Sequence, residues 1–216
     1  VADTQKTATE EVVAGAPVKA VLVGRAMKSQ TRLRVSKRAV VAVQGALTYL
    51  LREIVDGTKS AAEIDLKKKA LPKHVQRAVS TDPELRALSA HWLLRNPAEV
   101  RKPGSEAQPS AVKAAGTRKR SVDVTSHQFR SSIKRIAREK DCALATAAMD
   151  TLATIAAEIT ADLTGRADEV AQKDSKKTIH AADVRGAVEG HLPGELKVHT
   201  VKAIETALAE APQETS

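Results

Sequence analysis

KKKALPKHVQRAV, residues 67–79, falls over KKTIHAADVRGAV, residues 176–188, when the chain is slid against itself by 109 positions without a gap. Lys67, Lys68, Val75, Ala78 and Val79 meet Lys176, Lys177, Val184, Ala187 and Val188. The same offset carries Val43, Ala46, Leu50 and Ile54 onto Leu152, Ile155, Ile159 and Leu163, which are apolar positions at helical spacing in both places. One register that survives across two separate elements predicts an internal repeat.

Each copy has the same layout. In the first, a short helix is expected around 25–32, a long one around 38–64, a lysine-rich loop at 65–70 and a short helix at 72–80. Val40, Val43, Leu47, Leu50 and Ile54 form one stripe of the long helix, and Ala46, Leu51 and Val55 widen it beyond what one neighbour covers. The second copy is expected to hold a short helix at 125–138, a long one at 143–171, a loop at 172–178 and a short helix at 179–190. Its stripe is Leu144, Ala148, Leu152, Ile155, Ile159 and Leu163. LPGEL, residues 192–196, breaks the chain and opens a further helix with Leu196, Thr200, Ala203, Ile204, Ala207 and Leu208 on one side. No alternating strand pattern competes, so the fold class is all-α.

Residues 96–122 are rich in Pro, Gly, Ser and Ala without an apolar period and read as a linker, long enough as a coil to span about 30 Å. The domain expectation is a disordered tail at 1–20, one unit at 21–95, the linker at 96–122, a second unit at 123–210 and a tail at 211–216.

The net charge of +9 favours a polyanionic partner. Residues 1–110 hold 19 basic and 11 acidic side chains, residues 111–216 hold 16 and 15, so the first half carries most of the excess. One Trp, one Tyr and one Phe leave no base-stacking platform for single strands. A single cysteine, Cys142, excludes an intrachain disulfide framework and fits a reducing compartment. No apolar run is long enough to cross a bilayer and no secretory pattern opens the chain; a soluble intracellular protein is expected, with no membrane partner. The six histidines show no metal-ligand spacing, and no Gly-rich phosphate loop is present. Cys142, near the start of a long helix, is either a thiol of lowered pKa or a small core residue. No enzyme, metal, cofactor or small-molecule substrate is expected.

A long helix flanked by two short ones cannot enclose its own stripe, and the chain supplies two such units. RVSKRAVVAVQGALTYLLREIV (34–55), followed by LPKHVQRAVSTDPEL (71–85), resembles core histone 2A. KKTIHAADVRGAVEGHLPGELKVHTVKAIETAL (176–208) resembles core histone 2B, with LPGEL and its trailing helix as the most specific piece. The resemblance covers about 25–95 and 118–210 and is that of a fused histone doublet, a type known from some large DNA viruses. It implies two histone folds in tandem forming an intramolecular handshake pseudo-heterodimer that packages double-stranded DNA. Partners resembling histones 3 and 4 are implied, with a nuclear, chromatin location, or the virion and viral factory for a viral protein. The chain also departs from the family. Its first twenty residues carry Lys6 and Lys19 against Asp3, Glu10 and Glu11, its first helix is shorter, and Lys173 replaces a tyrosine that contacts histone 4.

The implied geometry sets the first loop of each fold beside the second loop of the other. One loop pair would combine Arg32, Arg34, Lys37 and Arg38 with Lys173, Lys176, Lys177 and Thr178; the other would combine Lys140 with Lys67, Lys68 and Lys69. Arg25, Lys28, Arg130, Lys134, Arg135 and Arg138 would lie between them on the first helices. Such a row can follow a curved phosphate backbone without base-specific readout; the plainer reading of each lysine run is a solvated loop. Arg118, Lys119 and Arg120 match a basic stretch that passes between DNA gyres, or serve in nuclear import. Glu53, Asp56, Asp82, Glu84 and Glu195 match a patch for basic peptides, thinned by Thr48, Pro83 and Ala203; the plainer reading is a polar helix face. A histone-fold pair in a transcription-factor complex, with minor DNA contact, is the alternative function. An archaeal-type histone that polymerises alone is disfavoured by the LPGEL helix.

Overall fold

A computed structural model describes residues 16–89 and 127–211 of the chain. The first unit runs α1 (Ala20–Gln30), the two-residue strand β1 (Arg34–Val35), α2 (Lys37–Ile64), α3 (Pro72–Thr81) and α4 (Pro83–Ser89). The second opens with a single 3₁₀ turn at His127–Phe129 and continues through α5 (Arg130–Glu139), α6 (Thr146–Lys173), β2 (Thr178–Ile179), α7 (Ala181–His191) and α8 (Gly194–Glu210). The all-α class stands, with two-residue strands only where loops meet.

The offset of 109 is written into the backbone. The two long helices each have 28 residues and start at Lys37 and Thr146. Both end the same way. Leu66 and Ser175 take left-handed φ values of 53° and 54°, and the N–H groups of Lys67 and Lys176 reach back to Ala62 O and Ala171 O at 2.9 Å each. These bonds satisfy carbonyls that the helix end would otherwise leave orphaned. The next helix starts are matched too: Leu71 N–H donates to His74 Nδ1 at 3.0 Å and His180 N–H to Asp183 Oδ2 at 2.8 Å. The first bond makes Nδ1 the acceptor, so the neutral His74 ring donates from Nε2 to Asp65, 3.1 Å away.

Neither stripe is covered by its own unit. Leu47, Leu50, Leu51 and Ile54 of α2 share one core with Leu152, Ile155, Ile159 and Leu163 of α6, none more than 1 % exposed. Each first helix packs on both long helices, α1 on α2 and α6 and α5 on α6 and α2. The loops close the handshake at both ends. β1 pairs in parallel with β2, Arg34 opposite Thr178 and Val35 opposite Ile179, while Ala70 N–H donates to Ala143 O (2.7 Å) and Ala145 N–H to Ala70 O (2.9 Å). Polar ties cross as well: Thr31 Oγ1 donates to Asp168 (2.6 Å) and Arg52 pairs with Glu139 (2.8 Å). A buried Leu or Ile side chain is worth roughly 1.5–3 kcal/mol against exposure. Exposing even part of these side chains by separating the halves would cost an amount comparable with the ~5–15 kcal/mol by which a domain is normally stable.

Several boundaries differ from the sequence expectation, each for a local reason. α1 begins at Ala20, ahead of 25, and the packed chain reaches back further: Val18 is buried and its carbonyl accepts from Gln44 Nε2 at 2.6 Å. The first unit thus starts inside the stretch expected to be tail. α6 begins at Thr146 and not 143, since Ala143 and Ala145 are extended to bond Ala70. α7 begins at Ala181 because Thr178 and Ile179 are spent in β2. The linker at 96–122, with Arg118, Lys119 and Arg120, lies outside the described residues, as do most of the two tails.

One element breaks the pseudo-twofold. α8, from the second unit, lies along α2 of the first, burying Leu196, Thr200 and Ile204. The approach is close enough that a Cβ on Gly45 would stand 2.8 Å from Ala203 O and 2.9 Å from Ala207 Cβ. At the start of α8, Gly194 has φ +49° and a Cβ there would overlap the Glu84 carboxylate. That carboxylate, from α4 of the first unit, accepts from Glu195 N–H (2.9 Å) and Leu196 N–H (2.8 Å). An anion on a helix N-terminus satisfies its orphan donors and complements its dipole, so LPGEL is clamped by the other half of the molecule.

Candidate nucleic-acid interface

The two loop pairs sit at opposite ends of the long helices. A 28-residue helix is about 42 Å long at 1.5 Å per residue, more than one turn of B-form duplex at about 34–36 Å. At the β1–β2 end, Arg32, Arg34, Arg38, Lys173 and Lys177 are exposed, and among the described residues no ion pair engages them. Lys37 beside them is exposed, and Thr178 is half-buried in the pairing. At the Ala70–Leu144 end, Lys67, Lys68 and Lys69 are exposed and likewise form no ion pair among the described residues. Between the ends, α1 presents Arg25 and Lys28, and α5 presents Lys134, Arg135 and Arg138.

Three of the expected cations are instead committed inside the protein. Lys176 Nζ is held by Asp174 (2.8 Å) and by Asp183 (2.7 Å), whose side chain is 1 % exposed. Both bonds raise the lysine's pKa. Burial alone would raise the Asp183 carboxyl, but Lys176 and the His180 N–H outweigh it and hold the group below its usual range. Removing Lys176 would thus strand a buried carboxylate, a structural duty. Arg130 pairs with Asp150, and Lys140 with Asp56. At the first unit's second loop, Asp65 gathers Lys73 (2.5 Å), His74 and Arg77 (2.7 Å), and the bonds from Lys73 and Arg77 hold its carboxyl well below the ordinary range. Cys142 is a core residue: burial pushes its thiol up, which removes the reading of an activated thiolate.

The expected acidic residues divide similarly. Asp56 is neutralised by Lys140, Asp82 caps α4 by accepting from Glu84 N–H (2.8 Å) and Leu85 N–H (3.0 Å), and Glu84 clamps α8. Glu195 is exposed and Glu53 half-buried. The charges converge on Tyr49, which stacks with His199 at a ring separation of 6.0 Å. Burial, then the Glu53 charge and its hydrogen bond, then Glu84 and Asp82, push the phenol up from 10.0 to about 12. Tyr49 was invisible as a member of this cluster from sequence, since an isolated tyrosine on an apolar helix carries no motif.

That shift gives a titration with a definite sign. Above pH ~10 the unfolded chain ionises its tyrosine while the folded chain does not, so this group's contribution to stability falls between about pH 10 and 12. With a single Tyr in the chain, absorbance at 295 nm should show no phenolate step at pH 10 in the folded protein. In Glu53→Gln the step should move down. A normal step at pH 10 in the native protein would show that Tyr49 is not set among these carboxylates.

Three comparisons bear on this geometry. A family model described as histone-like transcription factor (CBF/NF-Y) and archaeal histone matches residues 130–188. Histone H2A of Encephalitozoon cuniculi (strain GB-M1) is 44% identical over 79 residues, 37% of this chain. The chain spans 62% of the length of that relative. The crystal structure of the histone from Methanopyrus kandleri aligns with a TM-score of 0.53 at 17% identity, covering 82% of this chain and 97% of that one. An alignment over that share of the chain must enter both units, because neither alone exceeds about half of 216 residues. The chain is a histone-fold protein, with two such folds in tandem closing on each other.

Proposed function

We propose that the chain packages double-stranded DNA without regard to sequence, as a fused pair resembling histones 2A and 2B in a nucleosome-like particle. The observation that carries the reading is the pairing of loops. It gathers exposed cations at both ends of one unit, with Arg25, Lys28, Lys134, Arg135 and Arg138 between them. Lysines and arginines spread over more than a duplex turn can neutralise phosphates along a bent path, with arginines entering the inward-facing minor groove. The proposed contacts are Arg25, Lys28, Arg32, Arg34, Lys37, Arg38, Lys67, Lys68, Lys69, Lys134, Arg135, Arg138, Lys173, Lys177 and Thr178, with the Arg118–Arg120 stretch as an addition. Lys140, Lys176 and Arg130 are left out because carboxylates already hold them. The role is structural and not enzymatic, in nuclear chromatin or, for a virus-encoded copy, in the virion and viral factory. Partners resembling histones 3 and 4, including another fused chain, complete the particle. The face around Glu53 and Glu195 is a weak site for basic peptides.

A second reading, a protein-binding pair in a transcription-factor complex, is favoured by the matched family description, which joins such factors with archaeal histones. Nuclease digestion of DNA separates the two. Discrete protected lengths that appear only when partners resembling histones 3 and 4 are added support packaging. No protection with or without them supports the second reading and sinks the first.

A further inference from the structure

The two ends of the unit differ in chemistry. At the β1–β2 end, Arg32, Arg34 and Arg38 stand beside Lys177. At the other end, neither loop (residues 65–71 and 140–145) contains an arginine; Arg77 beside them is held by Asp65, and Arg138 lies back on α5. That end carries exposed apolar groups: Ile64 is 74% and Leu66 92% exposed. The repeat supplies the control. Ile64 and Leu66 fall on Lys173 and Ser175, which are polar residues in the same backbone positions. Leu66 is also the harder residue to place, because its φ of 53° lies in the left-handed region that bulky side chains rarely adopt. The first unit therefore keeps a strained, unburied leucine directly before three exposed lysines, where its own second copy uses serine.

We infer that Leu66, supported by Ile64, is an apolar wedge that enters the minor groove at the end of the unit whose two loops contain no arginine, while Lys67–Lys69 hold the flanking phosphates. The inference rests on the DNA reading above. Exposure and charge favour it: a nearly fully exposed leucine on the loop, with Ile64 at the end of α2 beside it, is shaped to insert, and three lysines select a polyanion. Leucine and isoleucine between base steps partly unstack and bend a duplex, most cheaply at flexible pyrimidine–purine steps. The fused unit is thereby polar on DNA, with an arginine end indifferent to sequence and a leucine end that settles on flexible steps.

The test uses the full chain and Leu66→Ser, with Ile64→Ser/Leu66→Ser as the stronger variant. No charge changes, so the salt slope of DNA binding should stay the same. Affinity should drop about tenfold for the double variant, because its apolar surface is no longer buried on binding. The parent's preference for duplexes carrying TA steps over A-tracts, and its enhancement of ring closure of DNA about 150 bp long, should both vanish. Both side chains are exposed, so the urea midpoint should stay nearly unchanged and the loss cannot be blamed on misfolding. A parent that binds DNA and variants with unaltered affinity, step preference and ring closure overturn the wedge alone and assign the apolar pair to a protein partner. A parent that does not bind DNA overturns the wedge and the packaging reading together.

Discussion

Gly45→Val should lower the thermal midpoint by roughly 2–12 °C, whereas Gly165→Ala, also in a long helix, should raise it slightly. Glycine to a larger residue inside a helix ordinarily gains backbone stability, up to about 1 kcal/mol for alanine. Gly165 has nothing within 4 Å of the site of a Cβ, so only that gain applies. At Gly45 the new Cβ meets the Ala203 carbonyl oxygen at 2.8 Å and Ala207 Cβ at 2.9 Å, neither of which a rotamer change can move. α8 must slide off α2, taking Leu196, Thr200 and Ile204 with it. Overpacking of this kind costs about 1–3 kcal/mol, and at roughly 2–4 °C per kcal/mol for a chain of this size the midpoint falls as stated. Equal midpoints for the two variants would mean that α8 does not lie against Gly45.

Replacing Lys67, Lys68 and Lys69 together with alanine should reduce the slope of log affinity for DNA against log salt by up to about 2.7. Each phosphate that is no longer neutralised removes about 0.9 from that slope. Since a lysine on a phosphate is blind to sequence, the weakening should be similar on unrelated duplexes. All three lysines are exposed, so the fold should be unaffected. Lys176→Ala is the contrast. Its ammonium serves Asp174 and the buried Asp183, so the variant should lose stability while its salt slope barely moves. A triple variant that kept the full slope would make the 67–69 loop solvated surface and remove one end of the proposed DNA path.

These two cases show what was legible in the sequence. The stripes of α2 and α6 were readable because burying one broad face of a helix imposes a helical period, and Leu47, Leu50, Ile54, Leu152, Ile155 and Ile159 are all buried. The repeat was readable because Lys67, Lys68, Val75, Ala78 and Val79 match the residues 109 positions on, after long helices that end in the same turn. Two-residue strands leave no period, so β1–β2 and the Ala70 bridge that shortens α6 left no trace beyond the loops' implied proximity. The charge pattern misled wherever partners are distant in sequence. Asp56 and Lys140 are 84 positions apart, and Glu84 and Leu196 are 112 apart. A carboxylate clamping another unit's helix looks, in a linear chain, the same as one on an open surface.

If one chain closes two histone folds on each other, unfolding should not depend on protein concentration. An intramolecular pair has no association step, so its stability does not depend on protein concentration, unlike that of a two-chain pair. The urea midpoint should stay unchanged over a hundredfold range of concentration, with sedimentation at the mass of one 23.0 kDa chain throughout. A midpoint that climbs with concentration, together with a sedimenting dimer, would mean that each chain pairs with another and not with itself.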